Sequence, residues 1–234
     1  MSWDHVKENL EAVQRRIAAA AQRAGRRVEE ITLIAVSKTH PAEAIRAAYE
    51  PGVRHFGENR VQEWEGKRDG AAHLAATWHL IGHLQSNKAA RAAKAFDCID
   101  SVDDFALAQR LDRGREESGV TKKLRVLIEV RVAQEETKSG VEISEVAALA
   151  EKIAALPRLD LAGLMCIPPF LENIEEVRPH FVKLRKLRDE LQVKLGLQLP
   201  VLSMGMSHDF DVAIEEGSTE VRVGTAIFGL RTRI

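Results

Sequence analysis

Three short stretches carry residues whose types and spacing suit chemistry. In the first, LIAVSKTH (Leu33 to His40), an apolar run that reads as a buried strand ends in Lys38, and a helix start follows at Pro41. A lysine there has two readings. It is a side chain that snorkels to solvent from a strand end, or an amine kept partly neutral by its surroundings so that it attacks a carbonyl and forms a Schiff base. The second stretch, LSMGMSHD (Leu202 to Asp209), places small hydroxyl and glycine residues in a turn before a helix, and the third, RVGTA (Arg222 to Ala226), sets Gly224 and Thr225 directly after a strand. Backbone N–H groups and hydroxyls in such loops recurrently hold a phosphate, which makes Ser207, Gly224 and Thr225 candidate phosphate ligands. Ser207 also reads as a helix N-cap, and the two roles are compatible. A phosphate site facing a strand-end lysine narrows the ligand to one carrying both a phosphate and an electrophilic centre.

The elements that must position these residues follow from periodicity. Short β-branched runs at Thr32–Ser37, Val53–Gly57, Thr77–Gly82, Cys98–Ser101, Leu124–Val132, Asp160–Cys166, Val201–Met204 and Glu220–Val223 read as strands. Amphipathic stretches at Ala42–Tyr49, Arg60–Asp69, Ser86–Ala95, Asp103–Glu117, Ser144–Leu156, Ile174–Leu195 and Asp209–Glu215 read as helices between them. Pro41 falls just inside one helix, while Ser86 and Ser144 head two others. A further helix from near Asp4 to about Ala24 precedes the first strand. Eight strands alternating with helices predict an α/β fold of the (β/α)8 TIM type with an added N-terminal helix; an open doubly wound sheet is the structural alternative. In a barrel, chemistry sits at the C-terminal strand ends, where Lys38, Asn59, His83, Ser101, Lys138, Pro168, Ser207 and Gly224 are expected. Arg222 lies two residues before Gly224 and so shares its face, beside a bound ring.

Composition bounds the function. With 34 basic and 35 acidic residues among 234, the net charge is −1, and no global field draws the chain to nucleic acid or an anionic membrane. The basic residues Lys183, Arg185, Lys186 and Arg188 alternate with leucines on one amphipathic helix and lack an aromatic stacking platform. No apolar run has membrane-spanning length, and Asp4, Glu8 and Glu11 interrupt any signal-peptide layout, so a cytoplasmic protein is expected. No linker splits the chain, which predicts a single domain over 1–234. Cys98 and Cys166 are isolated and suit a reducing compartment as small buried hydrophobes. His79 and His83 form an HxxxH pair, but Gly82 and a strand-like context argue against a metal site; His79 is expected inside the barrel and His83 in the loop above it.

The motifs LIAVSKTHP, HFGENRVQE, WHLIGHLQSNK, GLMCIPP, LSMGMSHDFDVAI and RVGTAIFG, in that order from about Ile31 to Gly229, resemble the pyridoxal 5′-phosphate homeostasis proteins, single-domain relatives of alanine racemase. The resemblance implies a barrel that holds pyridoxal 5′-phosphate as a Schiff base on Lys38. It gives the phosphate to Ser207, Gly224 and Thr225, and the pyridine nitrogen to Arg222. It places Asn59 near the ring, and Ser203 and Met204 along the cleft. An arginine at the pyridine nitrogen is a permanent donor that leaves the nitrogen unprotonated, which weakens the electron sink of carbanion chemistry.

The racemases use a second base, a tyrosine from a C-terminal β-domain, and this chain ends ten residues after Gly224, with Tyr49 as its one tyrosine, expected on the first barrel helix. The expectation is therefore a non-catalytic cofactor protein, a monomer or weak dimer, which supplies apo-enzymes or buffers the free aldehyde. A weak amino-acid racemase is the alternative from another class, and a barrel that binds a phosphorylated metabolite without covalent chemistry is a third. Lys138, in ETKSGVE, reads as a solvated loop lysine; the resemblance puts its loop on the cofactor rim and makes it a candidate transient receiver of the aldehyde. That role predicts a second borohydride-trapped adduct in Lys38→Ala that vanishes with Lys138→Ala, and no residual adduct would contradict it.

Overall fold

Helix α1 (His5–Arg23) forms because Val6, Leu10, Val13, Ile17 and Ala20 recur at helical spacing and bury one stripe, while charged residues occupy the rest of its surface. The computed structural model describes residues 3–133 and 139–229. After α1 the chain alternates: β1 (Thr32–Val36), α2 (Ala42–Tyr49), β2 (His55–Glu58), α3 (Val61–Lys67), β3 (Thr77–Leu80), α4 (Ala89–Ala95), β4 (Cys98–Val102) and α5 (Phe105–Glu117). It continues through β5 (Leu124–Arg131), β6 (Val141–Glu142), α6 (Ile143–Ala154), β7 (Leu159–Met165), α7 (Arg178–Leu195), β8 (Val201–Met206), α8 (Phe210–Glu215), β9 (Glu220–Val223) and α9 (Thr225–Phe228).

The strands are ordered β4-β3-β2-β1-β9-β8-β7-β5, all in parallel, and a β4–β5 pairing closes them into an eight-stranded barrel. The two-residue β6 attaches to the outer end of β5. This is the TIM-type barrel the sequence predicts. Both β6 and α9 are too short to show a periodicity and were not expected. Pro41 sits at the N-cap of α2 instead of inside it, and α6 begins at Ile143, one residue before Ser144.

Strand residues alternate between two surroundings. Leu33, Ala35, Phe56, Trp78, Leu80, Ile99, Val126, Ile128 and Val221 pack on the helices, in the main hydrophobic cluster. Leu127, Ala162, Met165 and Val201 form a separate small cluster on the other face, inside the barrel. Trp64 of α3 stacks on Trp78 with centroids 3.8 Å apart, Trp78 stacks on Phe56 at 5.4 Å, and the Trp64 indole N–H donates to the Ala95 carbonyl at 3.1 Å. This stack fixes α3 against β2, β3 and the end of α4. Tyr49 ends α2, so it lies where the helix has run back from the C-terminal strand ends, with the Arg54 guanidinium 4.0 Å above its ring. No described helix is long and apolar enough to cross a membrane.

Barrel closure leaves no space at Gly163, which pairs with Val201 across β7 and β8: a Cβ there would lie 1.9 Å from the Val201 carbonyl oxygen. The oxygen belongs to the backbone and the backbone fixes the Cβ position, so no rotamer relieves the clash. Gly163→Ala is expected to lower the urea-unfolding free energy by about 3 kcal/mol. An unchanged midpoint would contradict this account of the β7–β8 packing.

Candidate cofactor site

The phosphate-type loop is built from the ends of β8 and β9. The Ser207 hydroxyl oxygen accepts from the backbone N–H of Gly224 at 3.2 Å and of Ala226 at 3.3 Å, so two amide donors converge on one oxygen position. An anionic oxygen in that neighbourhood would meet the same donors and the hydroxyl proton. The Asp209 carboxylate shapes the loop by accepting from the Met206 N–H at 2.6 Å. Burial pushes its pKa up, against the pull of that N–H and of Arg222. Gly205 takes φ +94°, and a Cβ on it would lie 2.6 Å from Ala213 Cβ, so the turn into α8 accepts no side chain there. The strand expected over Val201–Met204 runs two residues further, through Gly205 and Met206, with a register shift between Ser203 and Met206.

Arg222 is 3% exposed, and its guanidinium is held at both ends: one Nη donates to Ser203 Oγ at 2.7 Å and the other to the Cys166 carbonyl at 2.7 Å. It therefore reaches from β9 past β8 to the end of β7, a fixed cation at the barrel mouth. Sequence reading paired it with neither partner, since Cys166 contributes only a backbone carbonyl. The Cys166 thiol is pushed up to about 12 by burial and stays protonated.

Lys38 follows β1 by two residues, and β1 lies between the other two site strands. β1 pairs with β9 on one side, Ala35 opposite Val223, and with β2 on the other, Val36 opposite Gly57. Gly224, Lys38 and Asn59 thus follow three neighbouring strands in order. A Cβ on Gly224 would stand 3.3 Å from the Val36 carbonyl oxygen, so the phosphate-type loop lies against the strand that carries Lys38. Asn59 lines a cavity of about 400 Å³ with Arg60, Gln62, His83, Gln85 and Lys88, at the ends of β2 and β3. The site fits a ligand with an anionic tail at the β8–β9 end and a reactive centre near β1.

One expected position needs correction. Met204 is fully buried in the helix-side cluster, because it alternates with inward-facing Ser203; its side chain does not line the cleft. Ser101 is the penultimate residue of β4, at the strand end as expected, and its hydroxyl donates to the Gly82 carbonyl at 2.7 Å. Lys138 lies outside the described residues. His83 stands in the loop beside Asp103, at 3.2 Å, as expected.

Below the mouth, alternate strand residues fill the barrel with charge. His79 is fully buried, with Nδ1 3.1 Å from Asp100 and Nε2 3.0 Å from His55 Nδ1, and Arg125 pairs with Glu220. Ligand atoms of His79, Asp100 and Glu220 lie within 4.8 Å of one another, but Arg125 and the imidazole itself already balance the carboxylates. Burial opposes a charge on His79, yet the Asp100 carboxylate prevails and holds its pKa well above the ordinary range. His55 goes the other way, pushed down to about 4 by burial first and then by the charges on His79 and Arg125. A protonated His79 donates from both nitrogens, and a neutral His55 accepts, so the two shifts describe one hydrogen-bond chain.

The alanine racemase N-terminal domain family profile matches residues 9–232. The pyridoxal phosphate homeostasis protein of Aquifex aeolicus (strain VF5) is 48% identical, over 96% of this chain and 97% of its own. That of Escherichia coli (strain K12) is 43% identical, over 97% of each. Among solved structures, PipY of Synechococcus elongatus with PLP bound superposes with a TM-score of 0.85 at 40% identity, covering 96% of this chain and all of that one. An alanine racemase from Clostridium difficile shares the fold, with a TM-score of 0.76 at 16% identity over 58% of its length.

The interior histidines set a pH dependence. Unfolded, His55 takes a proton near 6.5, which the folded protein refuses until about pH 4. Its contribution is therefore complete above pH 6.5 and is lost as pH falls toward 4; His79, raised instead, contributes below 6.5 and loses that as pH rises through its folded value. Urea unfolding between pH 7 and 4 should show the wild type losing stability relative to His55→Gln. Parallel curves for the two proteins would contradict the assignment.

Proposed function

The chain belongs to the alanine racemase N-terminal domain family, and on that footing we propose that it binds pyridoxal 5′-phosphate and keeps it available to the enzymes that use it, without substantial turnover of its own. The observation that carries this reading is the adjacency of the Lys38 strand end to the Ser207–Gly224 loop, with Arg222 fixed beside them. Ser207, Gly224 and Thr225 take the phosphate, Arg222 faces the pyridine nitrogen with Ser203 fixing its guanidinium, and Asn59 flanks the ring. Bound there, the cofactor would supply an aldehyde, and Lys38 would be the amine placed to take it.

Arg222 supports the reading of a holder over a catalyst. A guanidinium donates a hydrogen bond to the ring nitrogen without yielding a proton, so the ring draws electrons less strongly. Tyr49, at the far end of α2, is no candidate for a second base at the strand ends. The relatives that span nearly the whole chain carry names for homeostasis of the cofactor, while the racemases share the fold alone. Recipient apo-enzymes, a cytoplasmic location and a monomer or weak dimer complete the proposal.

The purified protein loaded with pyridoxal 5′-phosphate should absorb visible light, bleach with borohydride and yield a phosphopyridoxyl mass on the Lys38 peptide. Lys38→Ala should lose that mass. Ser207→Ala should keep it while binding the cofactor about tenfold more weakly, on the order of 1.4 kcal/mol for one charge-assisted hydrogen bond. Amino acid added in heavy water should exchange its α-proton no faster than with free cofactor. A colourless protein that takes up no cofactor would overturn the proposal, and fast exchange would turn it toward a racemase.

A further inference from the structure

The backbone that presents Lys38 is held by side chains to which the reading above gives no role. Ser37 donates its N–H to the Gly57 carbonyl at 3.0 Å, and His40 donates back to the Ser37 carbonyl at 3.1 Å, which closes a turn of Ser37, Lys38, Thr39 and His40. Thr39, at the third position, has φ 66°, the left-handed region, which is unfavourable for a residue with a Cβ. Something outside the turn must hold that conformation.

Helix α3 supplies it. The Thr39 N–H donates to the Glu63 carboxylate. One helical turn on, Lys67 has a side chain only 9% exposed, and its ammonium lies 3.0 Å from the Ser37 carbonyl oxygen and 3.0 Å from that of His40. The same ammonium lies 2.9 Å from Glu58 Oε1 and 3.2 Å from Glu63 Oε1, and the Ser37 hydroxyl donates to Glu58 Oε1 at 2.6 Å. Two of its acceptors are the carbonyls at the two ends of the Lys38 turn, and the carboxylates balance its charge within the cluster. A lysine suits the place, because only an ammonium brings three rotatable donors to so small a point.

We propose that Lys67 is a positioning residue for Lys38: with Glu58 and Glu63 it clamps the strained turn and so fixes where the Lys38 amine stands relative to the phosphate loop on the neighbouring strand. The inference rests on the reading of Lys38 as the residue that takes the aldehyde. The aldehyde and phosphate of one small ring are a fixed distance apart, so the amine serves only where its backbone is held. A relaxed turn would leave phosphate binding intact and disturb the covalent contact alone.

That separation gives the test. Lys67→Met should bind pyridoxal 5′-phosphate about tenfold more weakly and show slower borohydride trapping on the Lys38 peptide. Its affinity for 4-deoxypyridoxine 5′-phosphate, which keeps the ring and phosphate but lacks the aldehyde, should match the wild type. In ligand-free protein, hydrogen exchange at Thr39 and His40 should rise while that of the barrel strands does not. Glu63→Ala, which removes the Thr39 acceptor and leaves Lys67, provides the same comparison should Lys67→Met fail to fold. Equal loss for both ligands would reduce Lys67 to a structural role, and unchanged trapping and exchange would also overturn the inference. A wild type with no Lys38 adduct would bring down the functional reading, and this inference with it.

Discussion

Everything at the barrel mouth depends on the parallel pairing of the first strand with the last. Thr32 to Ala35 lie along Glu220 to Val223, and only this seam places the Lys38 turn beside Gly224. Residues at the two ends of the chain become neighbours because the sheet closes; in an open sheet they would end two edges. The seam is reinforced from outside by α1. Its Asn9 amide donates to the Ile227 carbonyl at 3.0 Å, its Arg16 pairs with Asp211, and Arg26, just beyond the helix, donates to the Ser218 carbonyl at 2.7 Å. The N-terminal helix therefore braces the β8–β9 side of the barrel, the side that carries the phosphate loop.

The interior shows how such a site is supported. A barrel filled with Leu and Val would be simpler to stabilise, since buried charges gain little over well-packed apolar residues. Here His79 with Asp100 and Arg125 with Glu220 lie in opposite-charge pairs, so the interior is polar and locally balanced. At the mouth the balance shifts: the guanidinium of Arg222 is held by a hydroxyl and a carbonyl, both neutral. Glu129, near the end of β5, has its carboxyl pushed up by burial, against the pull of the Ser139 hydroxyl, which donates to it at 2.8 Å, and of Arg222. Arg222 is thus a positive charge fixed at the mouth, which suits an acceptor nitrogen and opposes a protonated one.

The fold was legible because each strand is a short β-branched run bounded by turn residues, and each helix repeats apolar residues at three and four. Ser207, Gly224 and Thr225 were legible for a similar reason: hydroxyls and glycine after strands are local signals. Met204 was misplaced because a motif treated it with Ser203 as a unit, while strand alternation sends the two to opposite faces. The clamp beneath Lys38 was not legible. Glu63 and Lys67 look like an ordinary i,i+4 surface pair, and only the tertiary placement of α3 turns their charges inward onto the turn. Nothing in a threonine announces a positive φ, and nothing in His55 announces that burial, with His79 beside it, will keep it neutral.

The most direct test of the central claim is a crystal structure of the protein grown with pyridoxal 5′-phosphate. The account predicts electron density continuous from Lys38 Nζ to the ring, with the phosphate within hydrogen-bond distance of the Ser207 hydroxyl and the Gly224 and Thr225 amides, and the ring nitrogen facing Arg222. Cofactor lodged instead in the cavity between Asn59 and Lys88, with no link to Lys38 and the β8–β9 loop left bare, would contradict it.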